Sequence, residues 1–83
     1  MGQSTIRISD LGLTAALVCR EVEIASTEKD QTGRTHFIFS FDEDIAPNVA
    51  VAIDNYWSNH FEVDARQYFD AIKTLKGRIY SQR

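Results

Sequence analysis

Residues 34–42 read RTHFIFSFD, and the alternation in that stretch decides the fold. Successive side chains of an extended chain point to opposite faces. Phe37, Phe39 and Phe41 therefore fall on one side, and His36, Ile38 and Ser40 on the other. Three phenylalanines on a single face make this the principal core strand. Its hairpin partner lies just upstream, where Val22, Ile24 and Ser26 alternate with Glu23, Ala25 and Thr27. Between them, Asp30-Gln31-Thr32-Gly33 suits a type I turn followed by a residue with positive φ, a usual closure for a longer hairpin loop.

Further upstream, residues 4–8 (STIRI) alternate again, with Ile6 and Ile8 opposite Thr5 and Arg7, which predicts a short half-buried strand. Asp10 is the predicted N-cap of a helix over residues 11–20. On it Leu11, Ala15 and Val18 form a stripe that Leu13 and Leu17 widen, and Gly12 is expected to let the first turn approach the sheet closely. A strand, a short helix and a second strand make a right-handed crossover with the two strands parallel. The phenylalanine strand, antiparallel to both, fits the gap between them. The expected architecture is α+β with strand order 2-3-1, which places the charged Glu23 strand at an edge, where its charges discourage edge-to-edge pairing.

Downstream the period becomes helical. Ile45, Val49, Ala52 or Ile53, Tyr56 and Trp57 recur at helical intervals, and Pro47 confines the helix start to residue 45 or 46. Asn59, tolerant of the left-handed conformation, is the predicted stop. After an extended link over residues 60–63, Asp64 caps a last helix, with Gln67 completing a capping-box-like pair and Val63 set to pack on Tyr68. Tyr68, Ile72, Leu75 and Ile79 line one face of that helix, with Phe69 beside them and Gly77 a local weak point. The element order is β-α-β-β-α-α, in one domain spanning residues 1–83.

Composition narrows the function classes. A chain of 83 residues buries only about 60% of its unfolded surface, which leaves little material for a deep cavity. At 43% hydrophobic and 25% charged it has the make-up of an ordinary globular domain. Its net charge of -3 is not that of a dedicated duplex binder. The lone Cys19 has no internal disulfide partner, and the longest apolar stretch, residues 13–19, is interrupted by Thr14 and ends at Arg20. No secretory signal, no membrane span and a reducing, cytoplasmic setting are expected.

Catalytic chemistry has little to stand on. Cys19, His36 and His60 are the only soft metal ligands, without a CxxC or HxxxH pair, so no metal or cofactor is expected. The glycines at 2, 12, 33 and 77 make no phosphate-binding loop. Cys19 sits beside Leu17 and Val18 and reads as a buried, inert thiol rather than a nucleophile with a histidine base. Asp42-Glu43-Asp44 places negative charge at the following helix N-terminus.

Binding chemistry has more material. Tyr56, Trp57, His60 and Phe61 crowd the junction of the last two helices, either as core filling the angle between them or as a recognition group. An exposed Trp57 would be the first candidate for a partner contact, with Tyr56 beside it. The outer sheet face, carrying Arg7, Glu23, Ala25, Thr27, His36, Ile38 and Ser40, is the second, centred on Ile38 and His36. Charge is also segregated: residues 1–70 hold five basic and twelve acidic side chains, whereas residues 71–83 hold four basic and none acidic. Cations suit a helix C-terminus, yet Arg66, Lys73, Lys76, Arg78 and Arg83 also form a candidate phosphate-contacting set, with Tyr80 or Trp57 to stack a base.

The segments IRISDLGLTAALVCREVEI (6–24), GRTHFIFSF (33–41), IDNYW (53–57) and VDARQYFDAIKTLKGRI (63–79), in that order, resemble a family of bacterial and phage proteins about as long as this chain and of unknown function. The resembling features are a strand ending in Ser-Asp-Leu before a helix rich in small residues, an aromatic strand after a Gly-Arg turn, a Tyr-containing helix and a Val-Asp-capped last helix with Leu-Lys near its end. The chain carries Glu21-Val22 where a glycine would be expected to end the first helix. The resemblance implies an accessory role in a phage or mobile element and supplies no catalytic residues. The expected function is a non-enzymatic binding or assembly module acting on a protein partner or on itself, with no small-molecule substrate. The alternatives are nucleic-acid binding through the last helix and a small enzyme built on Cys19, His36 or His60.

Overall fold

A computed structural model describes residues 2–81. The chain forms β1 (Gln3–Ile8), α1 (Leu11–Cys19), β2 (Glu23–Lys29), β3 (Thr35–Asp42), a 3-10 turn (Glu43–Ile45), α2 (Ala46–Trp57) and α3 (Ala65–Ser81). The sheet order is β1-β3-β2, with β3 antiparallel to both neighbours. The expected α+β architecture and its strand order are observed.

Alternation builds the core. Thr35, Phe37, Phe39 and Phe41 are buried along β3 while His36, Ile38 and Ser40 are half-exposed. All three helices pack into the same cluster as the phenylalanines, contributing Leu13, Ala15 and Leu17 from α1, Val49 and Ala52 from α2, and Leu75 from α3. Every residue of α1 from Leu13 to Leu17 is buried, so α1 is enclosed on all sides, beyond the single stripe that its spacing predicts. Thr14 is accommodated there because its hydroxyl donates to the Asp10 carbonyl at 2.7 Å.

The predicted helix caps form. The Asp10 carboxylate accepts from the Leu13 N–H at 2.8 Å, and that of Asp64 from the Gln67 N–H at 2.9 Å. Two helices end in the same left-handed turn. After α2, Asn59 has φ 66°, and the His60 N–H donates to the Asn55 carbonyl at 2.8 Å. After α1, Glu21 has φ 64°, and the Val22 N–H donates to the Leu17 carbonyl at 3.1 Å. The α1 stop therefore forms with a glutamate in the position glycine usually holds.

Two local expectations are corrected. The pairing of β2 with β3 shifts between Ile24 and Ser26, leaving Ala25 as an extra residue. Beyond that bulge Thr27 lies opposite Phe37 and turns inward, while Ser26 lies opposite Ile38 on the outer face. Gly12 permits a close approach, but to helices rather than to the sheet: a Cβ there would meet the hydroxyls of Tyr56 and Tyr68.

Candidate binding surfaces

The aromatic group at the α2–α3 junction divides. Tyr56 turns inward, and its hydroxyl donates to the Asp10 carboxylate at 3.2 Å. Tyr68, from α3, donates to the Gly12 carbonyl at 3.1 Å. These two phenols tie the N-terminus of α1 to both later helices. Desolvation and the neighbouring Asp10 charge push the Tyr56 phenol up to about 12. Trp57, one residue on and so about 100° around the helix, stays 60% exposed, its ring edge-on to Tyr56 with centroids 5.0 Å apart. His60 is exposed, with its Nδ1 3.0 Å from the Ser58 hydroxyl. Only Tyr56 and Phe61 of the four pack against the core.

Beside α2 runs a cleft of about 470 Å³ with Val22, Ile45, Val51 and Phe61 on its apolar walls and Arg20, Asn48 and Asn55 as its polar groups. That volume lies within the ordinary range for binding clefts. Ile45 is 40% exposed and Val51 57%. The Arg20 guanidinium is held in place, donating to the Glu62 carbonyl at 2.6 Å and lying 4.2 Å from the centroid of the Phe61 ring. Sequence reasoning missed this cleft because it joins the end of α1, the entry to β2, α2 and the link before α3. One signal was legible: Val51 is apolar yet lies off the Val49-Ala52-Tyr56 stripe.

The outer sheet face is laced with polar contacts. His36 Nε2 lies 2.8 Å from the Asp30 carboxylate. Asp30 also accepts from the Thr32 hydroxyl and from the N–H groups of Thr32 and Arg34. The Thr32 hydroxyl first, then His36 and the backbone groups, hold the Asp30 carboxyl well below the usual carboxylate range. Arg7 on β1 reaches Glu28 on β2 at 3.2 Å. That pair crosses β3, over which Ile38 is only half-exposed.

The basic candidates occupy different faces of α3. Arg66, Lys73 and Lys76 are exposed and share one side of the helix with Phe69, 60% exposed, and Tyr80, 58% exposed. Phe69 thus lies on the open face, outside the core cluster. Arg78 instead lines a second groove with Cys19, Ile24, Asp70 and Leu75. Arg83 lies outside the described residues.

Among the described residues no three His, Cys, Asp or Glu side chains are grouped to hold a metal ion. Cys19 is buried, and burial pushes its thiol up. No described helix is long and apolar enough to cross a membrane.

Among known proteins, no curated relative and no solved structure matches this chain. One family model does match, over residues 3–81, from the first residue of β1 to the last of α3. The chain belongs to that family, described as a domain of unknown function, DUF5659.

Proposed function

We propose that the domain is a non-enzymatic binding module that seats a protein partner against the cleft beside α2. The observation that carries this reading is the pair Ile45 and Val51, large apolar side chains left in solvent at the rim of an apolar cleft. Burying them against a partner is favourable in proportion to the area removed from water. Arg20, pinned by the Glu62 carbonyl and the Phe61 ring, offers a preorganised cation that orients an acidic group of the partner. Trp57, 60% exposed on the opposite flank of α2 and outside the cleft lining, is a separate candidate contact of a residue type that dominates interface energetics. A cytoplasmic setting and an accessory role in a phage or mobile element form part of the same proposal, the latter drawn from the family resemblance.

The test is site-specific crosslinking in the native host. A photoreactive residue in place of Val51 is expected to capture a discrete protein, or a second copy of the chain. The same residue in place of Gln31, in the hairpin turn, is expected to capture nothing in common. The purified complex should weaken about ten-fold or more when Ile45→Ser and Val51→Asp are combined. Unchanged affinity, or identical adducts from both positions, defeats the reading.

A further inference from the structure

We infer that the outward face of α3 binds single-stranded nucleic acid, with Phe69 and Tyr80 stacking bases and Arg66, Lys73 and Lys76 contacting phosphates. At 3.6 residues per turn these five side chains fall within a sector of about 80°. Their order along the helix is cation, ring, cation, cation, ring. All five are exposed, and both rings are more than half in solvent. The folded core uses the other side of the helix, through Leu75 with Tyr68, Ile72 and Ile79.

The chemistry of the face selects the ligand. Three cations complement a chain of regularly spaced anions, although the exposed Asp70, at i+4 from Arg66 and i−3 from Lys73, borders them and opposes it. Two exposed rings offer flat apolar surfaces to unstacked bases, which every base type can cover. A duplex hides those base faces, so the rings favour a single strand. Phe69 and Tyr80 are eleven positions apart, a rise of about 16 Å, and Lys73 and Lys76 lie between them. The Lys73 ammonium lies over one face of the Phe69 ring, 5.4 Å from its centroid, so a base would stack on the opposite face. An anionic membrane is a poorer fit, because the two rings are separated by lysines and form no continuous apolar strip for insertion. Arg78 belongs to the Cys19 groove and not to this face. The acidic balance of the rest of the chain opposes a polyanion, so affinity is expected to depend steeply on salt.

Fluorescence anisotropy with labelled oligothymidylate and oligouridylate of about a dozen nucleotides tests this, against a duplex, heparin and anionic vesicles, at about 50 and 200 mM salt. The single strands should bind more tightly than the duplex. Phe69→Ala with Tyr80→Ala should weaken binding about ten-fold or more while keeping the salt slope. Lys73→Gln with Lys76→Gln should lower the magnitude of that slope by about 1.4. Arg34→Gln in the hairpin turn, which removes charge elsewhere, should leave the single-strand preference intact. The altered side chains are exposed, so the folded state survives their replacement. No binding at low salt, equal affinity for heparin, duplex or vesicles, or indifference to the aromatic pair would overturn the inference.

Discussion

The hydroxyl of Tyr56 occupies the space that a Cβ on residue 12 would fill. Gly12 is thus required by a neighbour and not by its own backbone angles. Gly12→Ala is expected to lower the unfolding free energy by about 1–3 kcal/mol, the usual cost of overpacking, although alanine is the better helix former. Adding Tyr56→Phe removes the colliding oxygen. The double variant should be more stable than the sum of the two single changes by about 0.5 kcal/mol or more, measured by urea unfolding followed by circular dichroism. Strict additivity would show that the two groups do not meet.

Glu21 ends α1 with φ 64°, a conformation costing an L-residue with a side chain roughly 1–2 kcal/mol. Glu21→Gly is expected to stabilise the domain by about 1 kcal/mol. Glu21→Ala removes the same charge without relieving the backbone, and should give no such gain. Thermal unfolding of the two variants side by side separates conformation from electrostatics.

Asp30 knots the hairpin turn, and the Thr32 hydroxyl, His36 and two backbone N–H groups depress its proton affinity. The folded form holds a proton less readily than the unfolded chain. Its stabilising contribution is therefore complete above the ordinary carboxylate range and is lost as pH falls through the lower, folded value. Urea midpoints measured from near neutrality down to about pH 2 should fall less steeply for Asp30→Asn than for the unaltered chain. Equal steepness would assign the acid sensitivity to other carboxylates.

At the alkaline end Tyr56 acts with the opposite sign. Its phenol is raised from 10.0 to about 12, chiefly by desolvation. The unfolded chain surrenders that proton first, so the stabilisation persists below 10.0 and is lost as pH rises toward about 12. Tyr56→Phe should flatten this part of the stability profile, as read from denaturant midpoints across the interval.

Much of the architecture is legible because it rests on local rules. The phenylalanine alternation of β3, the caps at Asp10 and Asp64 and the turn at Asn59 each need only a few neighbouring residues to declare themselves. The bulge at Ala25 does not: Ser26 and Thr27 exchange faces only because of how β2 registers on β3. Phe69 shows the same limit on a helix, since it adjoins the apolar stripe in sequence, yet the packing of α1 against α3 leaves it outside the core. The cleft was hidden for a related reason, since Arg20, Ile45, Val51 and Phe61 come from separate parts of the chain. Charge segregation toward the C-terminus was visible, but which cations share a face follows from the rotation of α3.

The enclosure of α1 gives the chain an internal reporter. Cys19 is its one thiol, buried and with its thiolate disfavoured by that burial. Cys19 borders the groove between α1 and α3, and a small alkylating reagent gains full access to its sulfur when those helices part. The slow phase of labelling in native buffer therefore counts breathing events of the helical assembly, without any added probe, and any ligand that clamps those helices together should lengthen it.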